Sequence, residues 1–197
     1  MPATFAGGEA SREELRYFLK KKVAGEAGFA DLVALAQIHL PTEAKLEPAR
    51  NDWDEMGRGQ EKGMHGPMLE QLASRAKILV LGEPVMWESI ALGKPPAGMA
   101  LNRDDAFHVV DALGVLEHMA PGRAVQANEG LRRGAFSPRA CIYFPLHSTL
   151  DVKHSQAWNE HVLCPFSQER PELAQPVAEG LLMRLHAGAR CLLCYLE

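Results

Sequence analysis

The sequence predicts an all-α protein, a single domain built from about seven or eight helices. Apolar residues recur at intervals of three and four positions along most of the chain, which is the spacing of one helix face. No segment alternates apolar and polar residues as a half-buried strand does, and no internal repeat is present. The chain has 197 residues, 47% of them apolar, which suffices for one substantial core.

Capping residues, prolines and glycines predict where each helix begins and ends. Ser11-Arg-Glu-Glu14 has the form of a capping box, in which two side chains satisfy free amides at a helix start. Residues 1–10 are expected to form a disordered arm, so the helical domain spans residues 11–197. Residues 82–103 are expected to be irregular, because glycine and proline recur in them. After the first helix, the predicted helices cover residues 26–40, 42–56, 65–81, 104–119, 123–133, 138–163 and 171–196.

The charge and hydropathy of the chain argue against two classes of partner. The formal net charge is −4, and the lysines and arginines are dispersed rather than gathered in a stripe, unlike those of a nucleic-acid-binding protein. No apolar run reaches the roughly 18–20 residues that span a bilayer, and the first residues lack the features of a secretory signal. We therefore expect a soluble, cytoplasmic protein with neither a nucleic-acid nor a membrane partner.

The segment His147-Ser-Thr-Leu-Asp151-Val-Lys-His154 is the strongest indication of chemistry in the chain. Its three polar residues are spaced at i, i+4 and i+7, so a helix places them along one face. Neutral imidazole and ionised carboxylate are ligands that suit iron or zinc. The pattern predicts either a metal site or a buried network of ion pairs, and the spacing by itself leaves both open.

Three further residues are candidates for the same site. Glu55 and His65 are ten residues apart, and glycines at 57, 59 and 63 would let the chain bend so that both side chains point inward. Glu117 has apolar neighbours such as Leu113 on its helix face, where a carboxylate needs a partner. Carboxylates and histidines from several helices are how di-iron bundles hold two metals, although this chain lacks the Glu-x-x-His pairs of ferritin-like bundles.

Other residues have a structural interpretation beside a functional one. The pair Cys191-Leu-Leu-Cys194 has no second CxxC and is interpreted as part of an apolar C-terminal helix. Arg132 and Arg133 are candidates for gripping a substrate carboxylate, although consecutive residues on a helix do not both face one pocket. Five apolar residues either pack in the core or line an approach to the site: Trp53, Met56, Met64, Met68 and Trp158.

Taken together, these motifs resemble those of the heme-oxygenase-like di-iron oxidases and oxygenases, also described as iron-containing redox enzymes. The resemblance is carried by Asn51-Asp-Trp-Asp-Glu55-Met-Gly-Arg-Gly with His65, by Leu113-Gly-Val-Leu-Glu117, and by the segment from His147 to His154. It covers roughly residues 12–197, and Glu26 matches the early glutamate ligand of the family by position. The metal ligands it implies are Glu26, Glu55, His65, Glu117, His147, Asp151 and His154.

The resemblance implies a heme-oxygenase-like helical bundle that binds no heme. It implies two Fe(II) ions per chain, dioxygen as co-substrate, and oxidation of a small amino-acid-, amine- or fatty-acid-like molecule by N-oxygenation, decarboxylation or C–C cleavage. It is compatible with a homodimer and with an external electron donor. One departure concerns the N-oxygenases: some have an extra glutamate three residues before the histidine that corresponds to His65, and this chain has Lys62 there, next to Glu61.

Three alternative functions remain open at this level. A thiaminase-like or cofactor-free enzyme of the same fold would need a nucleophilic cysteine, for which Cys141 is the candidate. A true heme oxygenase would need a proximal histidine near the N-terminus, and His39 stands at a helix end just before Pro41. A non-catalytic iron-binding protein would keep the fold and the ligands without turnover.

Overall fold

A computed structural model of the chain describes residue 8 and residues 10–26, 28–78 and 84–194. The predicted disordered arm therefore falls mostly outside the described residues. Its last residue, Ala10, is buried, and its carbonyl accepts a hydrogen bond from Arg133 at 3.2 Å. No helix in these ranges is both long enough and apolar enough to cross a membrane.

The fold is helical, as predicted. Eight of the helices have eight or more residues, and the described ranges contain no strand, only an isolated bridge between Met56 and Met64. A π-helical turn, Asn159–Leu163, directly follows the helix that ends at Trp158. The helices are α1 (Arg12–Glu26), α2 (Phe29–Ala36), α3 (Thr42–Glu55), α4 (His65–Arg75), α5 (Trp87–Ile90), α6 (Lys94–Leu101), α7 (His108–Arg133), α8 (Tyr143–Trp158), α9 (Cys164–Glu169) and α10 (Ala174–Leu193).

The first helix begins at the predicted capping box and runs further than expected. The amide of Ser11 donates to Glu14 at 2.7 Å, and the amide of Glu14 donates to the Ser11 hydroxyl at 3.3 Å. The helix then continues to Glu26, which is its last residue and not the start of the second helix. The break falls at Gly28, whose φ of 83° lies in the left-handed region that favours glycine.

The predicted division of residues 104–133 into two helices is wrong. Residues 103–105 form a 3₁₀ turn, and α7 then runs unbroken for 26 residues through Pro121 and Gly122. A proline inside a helix removes one backbone hydrogen bond. Here α7 packs along both α8 and α10, so the apolar surface it buries on each side outweighs that loss.

Two more boundaries differ from the prediction for local reasons. The stretch expected to be irregular contains α5 and α6, because Pro95 and Pro96 lie in the first turn of α6, where a missing amide costs little. The fourth helix ends at Arg75 rather than near residue 81. Its end is closed by Lys77, with φ of 55°, and by a hydrogen bond from the Ile78 amide to the Ala73 carbonyl, and residues 79–81 lie outside the described ranges.

The core consists of two apolar clusters separated along α7 and α8 by a band of polar residues. One cluster joins α1, α4, the end of α7 and the start of α8, with Leu131 and Phe144 among its members. The other joins α2, α6, the start of α7 and the end of α8, with Leu113 and Trp158. The buried Glu117 and the segment from His147 to His154 lie between these positions on the two helices.

Gly180 permits an unusually close contact between α10 and α7. A Cβ atom built on Gly180 would lie 1.7 Å from the backbone oxygen of His108 and 2.5 Å from its carbonyl carbon. Only a residue without a side chain fits there. The separation of α7 and α10 is therefore fixed by backbone contact.

Candidate metal centre

The helix α8 presents its three candidate ligands on one buried face. His147, Asp151 and His154 are 7%, 3% and 4% exposed. Their spacing places them one above the other, as the sequence indicated, and the helix is continuous from Tyr143 to Trp158. Three polar side chains thus enter the interior from one element.

A glycine-closed loop brings Glu55 and His65 together. Met56 and Met64 form the isolated bridge at its base, and Gly57 has a positive φ of 61°. A Cβ atom on Gly57 would lie 2.5 Å from the carbonyl carbon of Gly63, so the two ends of the loop are in backbone contact. As a result, Nδ1 of His65 lies 2.6 Å from Oε2 of Glu55.

The five residues form two ligand groups that share one carboxylate. Glu55, His65 and His147 offer ligand atoms that all lie within 4.8 Å of one another, and so do Glu55, Asp151 and His154. Nε2 of His147 is 3.2 Å from Nδ1 of His65 and 3.9 Å from the Glu55 carboxylate. Carboxylates and imidazoles at this spacing are a donor set that suits iron.

Two of the histidines are oriented by hydrogen bonds at their outer nitrogens. Nδ1 of His147 donates to the carbonyl of Tyr143 at 2.8 Å, which directs Nε2 toward the site. Nε2 of His154 is 3.2 Å from Asp54, and this contact directs Nδ1 inward. A partner at the second nitrogen fixes the tautomer and the ring orientation, as is usual for metal-binding histidines.

Glu117 lies beside the second group, and two buried polar atoms near it are poorly satisfied. Its Oε2 lies 3.4 Å from Nδ1 of His154, and its Oε1 accepts a hydrogen bond from Asn51 at 2.9 Å. Oδ1 of Asp151 is buried without a hydrogen-bond partner among the described residues, and Nδ1 of His154 has only the long contact with Glu117. Unsatisfied buried polar atoms are costly, and a cation between them would remove that cost. The residues present therefore fit a metal site.

Glu26 lies outside both ligand groups. Its Oε2 accepts a hydrogen bond from the hydroxyl of Tyr143 at 2.7 Å, and its Oε1 forms an ion pair with Lys22. The same hydroxyl lies 3.2 Å from Nε2 of His65, so Tyr143 links Glu26 to the site. A direct ligand role for Glu26 stays a prediction.

A family model described as "Iron-containing redox enzyme" matches residues 16–189, which is most of the chain. The chain belongs to this family. No curated protein sequence matches it at a significant level.

Solved structures share the fold of this iron-containing redox enzyme family member. One is a CADD-like protein of unknown function from Nostoc punctiforme PCC 73102, with 17% identity, 98% of this chain and 86% of that chain covered, and a TM-score of 0.75. Another is a domain of unknown function with a heme oxygenase-like fold from Shewanella denitrificans OS217, with 16% identity, coverage of 99% and 82%, and a TM-score of 0.69. The predicted heme-oxygenase-like bundle is therefore confirmed.

The carboxyl groups of the site have pKa values shifted in opposite directions. Burial by itself would raise the pKa of Glu55, but the neighbouring His147 and His65 outweigh it and hold that pKa well below its usual range. Burial and the nearby Glu117 raise the pKa of Asp151. Burial opposes the charged form of His147 and His154, yet the carboxylates around them raise the pKa of each imidazole to about 9. Without metal, these shifts favour the protonated forms of His147, His154 and Asp151 at neutral pH.

The stability of the metal-free protein should fall as the pH rises from about 6.5 to 9. A group whose pKa is higher in the folded state than in the unfolded state stabilises the fold when the pH is below its unfolded pKa. This stabilisation is lost as the pH rises through the folded pKa. His147, His154 and Asp151 all shift in this direction. Metal binding needs deprotonated ligands, so it should strengthen over the same range.

The measurement is the Tm of the chain with a chelator and with Fe(II) under nitrogen, taken at half-unit pH steps. We expect the Tm of the chelated sample to decrease and the difference between the two samples to widen toward pH 9. A chelated Tm that stays constant or increases over this range would contradict the assignment of protons to these ligands.

Several other sequence predictions concern residues that lie away from the ligands of this family member. Arg132 and Arg133 are exposed, so neither lines the site, and Glu61 and Lys62 are exposed as well. The five apolar residues that could either pack in the core or line an approach to the site differ in position. Met68 and Trp158 are buried in the core, Trp53 is 56% exposed, and Met56 and Met64 form the base of the loop.

Sequence reasoning missed the residues that support the ligands. Asp54 precedes a predicted ligand directly, Asn51 lies one helical turn before Glu55, and Tyr143 lies one turn before His147. A search for polar residues at i−4 from each predicted ligand would have found Asn51 and Tyr143. Asp54 gives no such signal, because its contact with His154 joins residues 100 positions apart.

Proposed function

We propose that this protein is a non-heme di-iron enzyme that uses dioxygen to oxidise a small organic substrate. The observation that carries the proposal is the position of Glu55, whose carboxylate belongs to both ligand groups. A carboxylate has two oxygens and a negative charge, so it can bridge two cations and offset their repulsion.

The two groups provide ligands for two ions. Glu55, His65 and His147 would hold one, and Glu55, Asp151 and His154 would hold the other, with Glu117 beside it. Ferrous ions bound there would supply electrons to dioxygen. Each ion would have few protein ligands, which would leave open positions for small molecules.

The chain itself contributes orientation, charge and exclusion of water. Tyr143 and Asp54 fix the histidine rings by the contacts described above. A cavity of about 60 Å³, the inner cavity, lies beside the ligands and is walled partly by Phe29, Leu116 and Phe144. A volume of this size holds only a few water-sized molecules at one time, which would limit the water beside the ligands. When one oxygen atom enters the substrate and the other becomes water, two electrons must come from an external donor.

The thiaminase-like alternative is disfavoured by the environment of Cys141. This residue is buried in the apolar cluster that contains Phe144. Burial raises the pKa of its thiol, whereas a nucleophilic cysteine needs a lowered pKa. His39, the candidate for a heme ligand, lies in the turn after α2 and belongs to neither ligand group.

Anaerobic titration of metal-free protein with Fe(II), followed by rapid mixing with dioxygen, tests the proposal. We expect about two ions per chain and a transient absorbance band after mixing. Protein loaded with Zn(II) is the control, because zinc binds similar ligands but has no redox chemistry. Bound iron that does not react with dioxygen would indicate a non-catalytic iron-binding protein, and a chain that binds no iron would show that the ligand assignment is wrong.

A further inference from the structure

The C-terminal helix α10 is apolar on nearly all of its sides. Of its 20 residues, three are charged, namely Glu179, Arg184 and Arg190. A surface helix of a globular protein has polar residues on the side that faces water, whereas a helix that is apolar all round is normally buried on all sides. The side of α10 that faces away from the helical bundle is therefore expected to be covered.

That side, the outer face of α10, is an exposed apolar stripe. Gly180 and Cys191 are buried on the opposite side of the helix, which packs on α7. Leu182 and Leu193 are each 61% exposed, and Leu185 is 36% exposed. Contiguous exposed apolar surface of this kind marks an interaction site. The outer face comprises Ala178, Leu182, Leu185, Ala189 and Leu193, all of them exposed.

The spacing along the outer face fits a second copy of the same helix. Intervals of four, three and four residues separate Ala178, Leu182, Leu185 and Ala189. These intervals have the 3.5-residue period of helices that pack along one another. The order of small, large, large and small side chains is the same in both directions. A two-fold axis across the middle of this segment would therefore place Leu182 of one copy against Leu185 of the other. The same axis would bring Ala178 against Ala189, as an isologous interface requires.

The charges beside the outer face are already engaged within one copy. Glu179 accepts a hydrogen bond from Gln175 at 2.9 Å and lies 3.2 Å from Nε2 of His108. The Cζ atom of Arg190 lies 4.7 Å from the ring centroid of Trp87. The outer face itself has no charged side chain. Two copies can therefore meet there without repulsion between like charges.

The apolar area at this position is close to what a stable dimer needs. Trp87 and Met183 are 55% and 50% exposed, and both line a surface cavity beside the outer face. Together with the three leucines of the outer face, their exposed surface amounts to roughly 500 Å². A standard interface buries about 800 Å² per partner, of which about 57–65% is apolar.

We propose that the chain forms a two-fold symmetric homodimer in which the outer faces of two α10 helices pack antiparallel. Removing the three leucines from water supplies the driving force. The same helix contributes Arg184 to the wall of the inner cavity. Helix α10 therefore lies between the interface and the candidate metal centre. The pairing needs neither metal nor substrate, so it does not depend on the proposed function.

Light scattering coupled to gel filtration of the full chain tests for the dimer. At about 10 µM we expect twice the mass of one chain, since interfaces of standard size have dissociation constants from micromolar to picomolar. A chain that is monomeric at this concentration would overturn the proposal.

A matched pair of leucine variants locates the interface. Leu182→Glu should weaken the dimer at least about 30-fold, because it buries an unpaired charge at the centre of the contact. Leu46→Glu is the control, since Leu46 is also 61% exposed but lies on α3, and it should leave the mass unchanged. Circular dichroism shows whether each variant is folded. A folded Leu182→Glu chain that dimerises as well as the unchanged chain would show that the dimer uses another surface.

Introduced cysteines test the antiparallel register. The double variant Ala178→Cys/Ala189→Cys should form a disulfide between chains under mild oxidation, whereas Ala189→Cys alone should not, because the axis lies far from residue 189. Peptide mass spectrometry identifies the linked pair, since Cys164 and Cys194 are present in every variant. Equally efficient linkage between two copies of residue 189 in the single variant would overturn this register.

Discussion

Replacing Glu55 with glutamine should remove the binding of both metal ions. The amide keeps the size of the side chain but has no charge and only one oxygen, so it cannot bridge two cations. Since Glu55 belongs to both ligand groups, neither group stays complete. Loss of a supporting residue typically lowers metal affinity 10–100-fold, so loss of this shared ligand should lower Fe(II) affinity by more than about 100-fold. Equilibrium dialysis under nitrogen measures the effect directly.

Two companion variants make this result specific. Glu47→Gln changes the same functional group on the same helix, where Glu47 pairs with Arg50 away from the site, and should leave iron binding unchanged. His65→Ala removes a ligand of the first group alone and should reduce the bound iron to about one ion per chain. If Glu55→Gln protein still binds two ions, or loses one ion only, Glu55 is not the shared ligand.

Replacing Gly180 with alanine should destabilise the whole fold. The added Cβ atom would lie 1.7 Å from the backbone oxygen of His108, so α7 and α10 would have to move apart. Overpacking of this kind typically costs about 1–3 kcal/mol, and the backbone contact places Gly180→Ala near the upper end. For a chain of this length the Tm should fall by roughly 5–10 °C, measured by thermal unfolding of the metal-free protein.

Gly122→Ala is the matched control for this prediction. Gly122 lies inside α7, and no atom lies within 4 Å of a Cβ atom placed there. Alanine at this position should therefore raise the free energy of unfolding, by up to about 1 kcal/mol, because of its higher helix propensity. Equal Tm values for the two variants would mean that the contact between α7 and α10 is not tight in solution.

The parts of the fold that depend on local spacing were predictable from the sequence. The capping box at Ser11 and Glu14 and the shared face of His147, Asp151 and His154 are set by residues within two helical turns of one another. The glycine positions also indicated that the chain bends between Glu55 and His65. Local rules sufficed because the partners are close in the chain.

The parts that depend on tertiary packing were not predictable. Pro121 looked like a helix end, and only the packing of α7 between two other helices explains why the helix continues. The place of Arg184 in the wall of the inner cavity follows from the packing of α10 against α7, which no spacing in the sequence reveals. For the same reason Arg132 was a candidate in the sequence, although it is exposed.

The loop between Glu55 and His65 is closed at its base. The geometry of the site therefore does not depend on the length of that loop. The Met56–Met64 bridge and the contact of Gly57 with Gly63 hold the two ligands in place, while Arg58, Gly59 and Gln60 at the tip are partly or fully exposed. Exposed loop tips tolerate inserted residues. Additional residues at the tip, such as a short epitope or a fluorophore attachment sequence, would leave the ligand spacing unchanged.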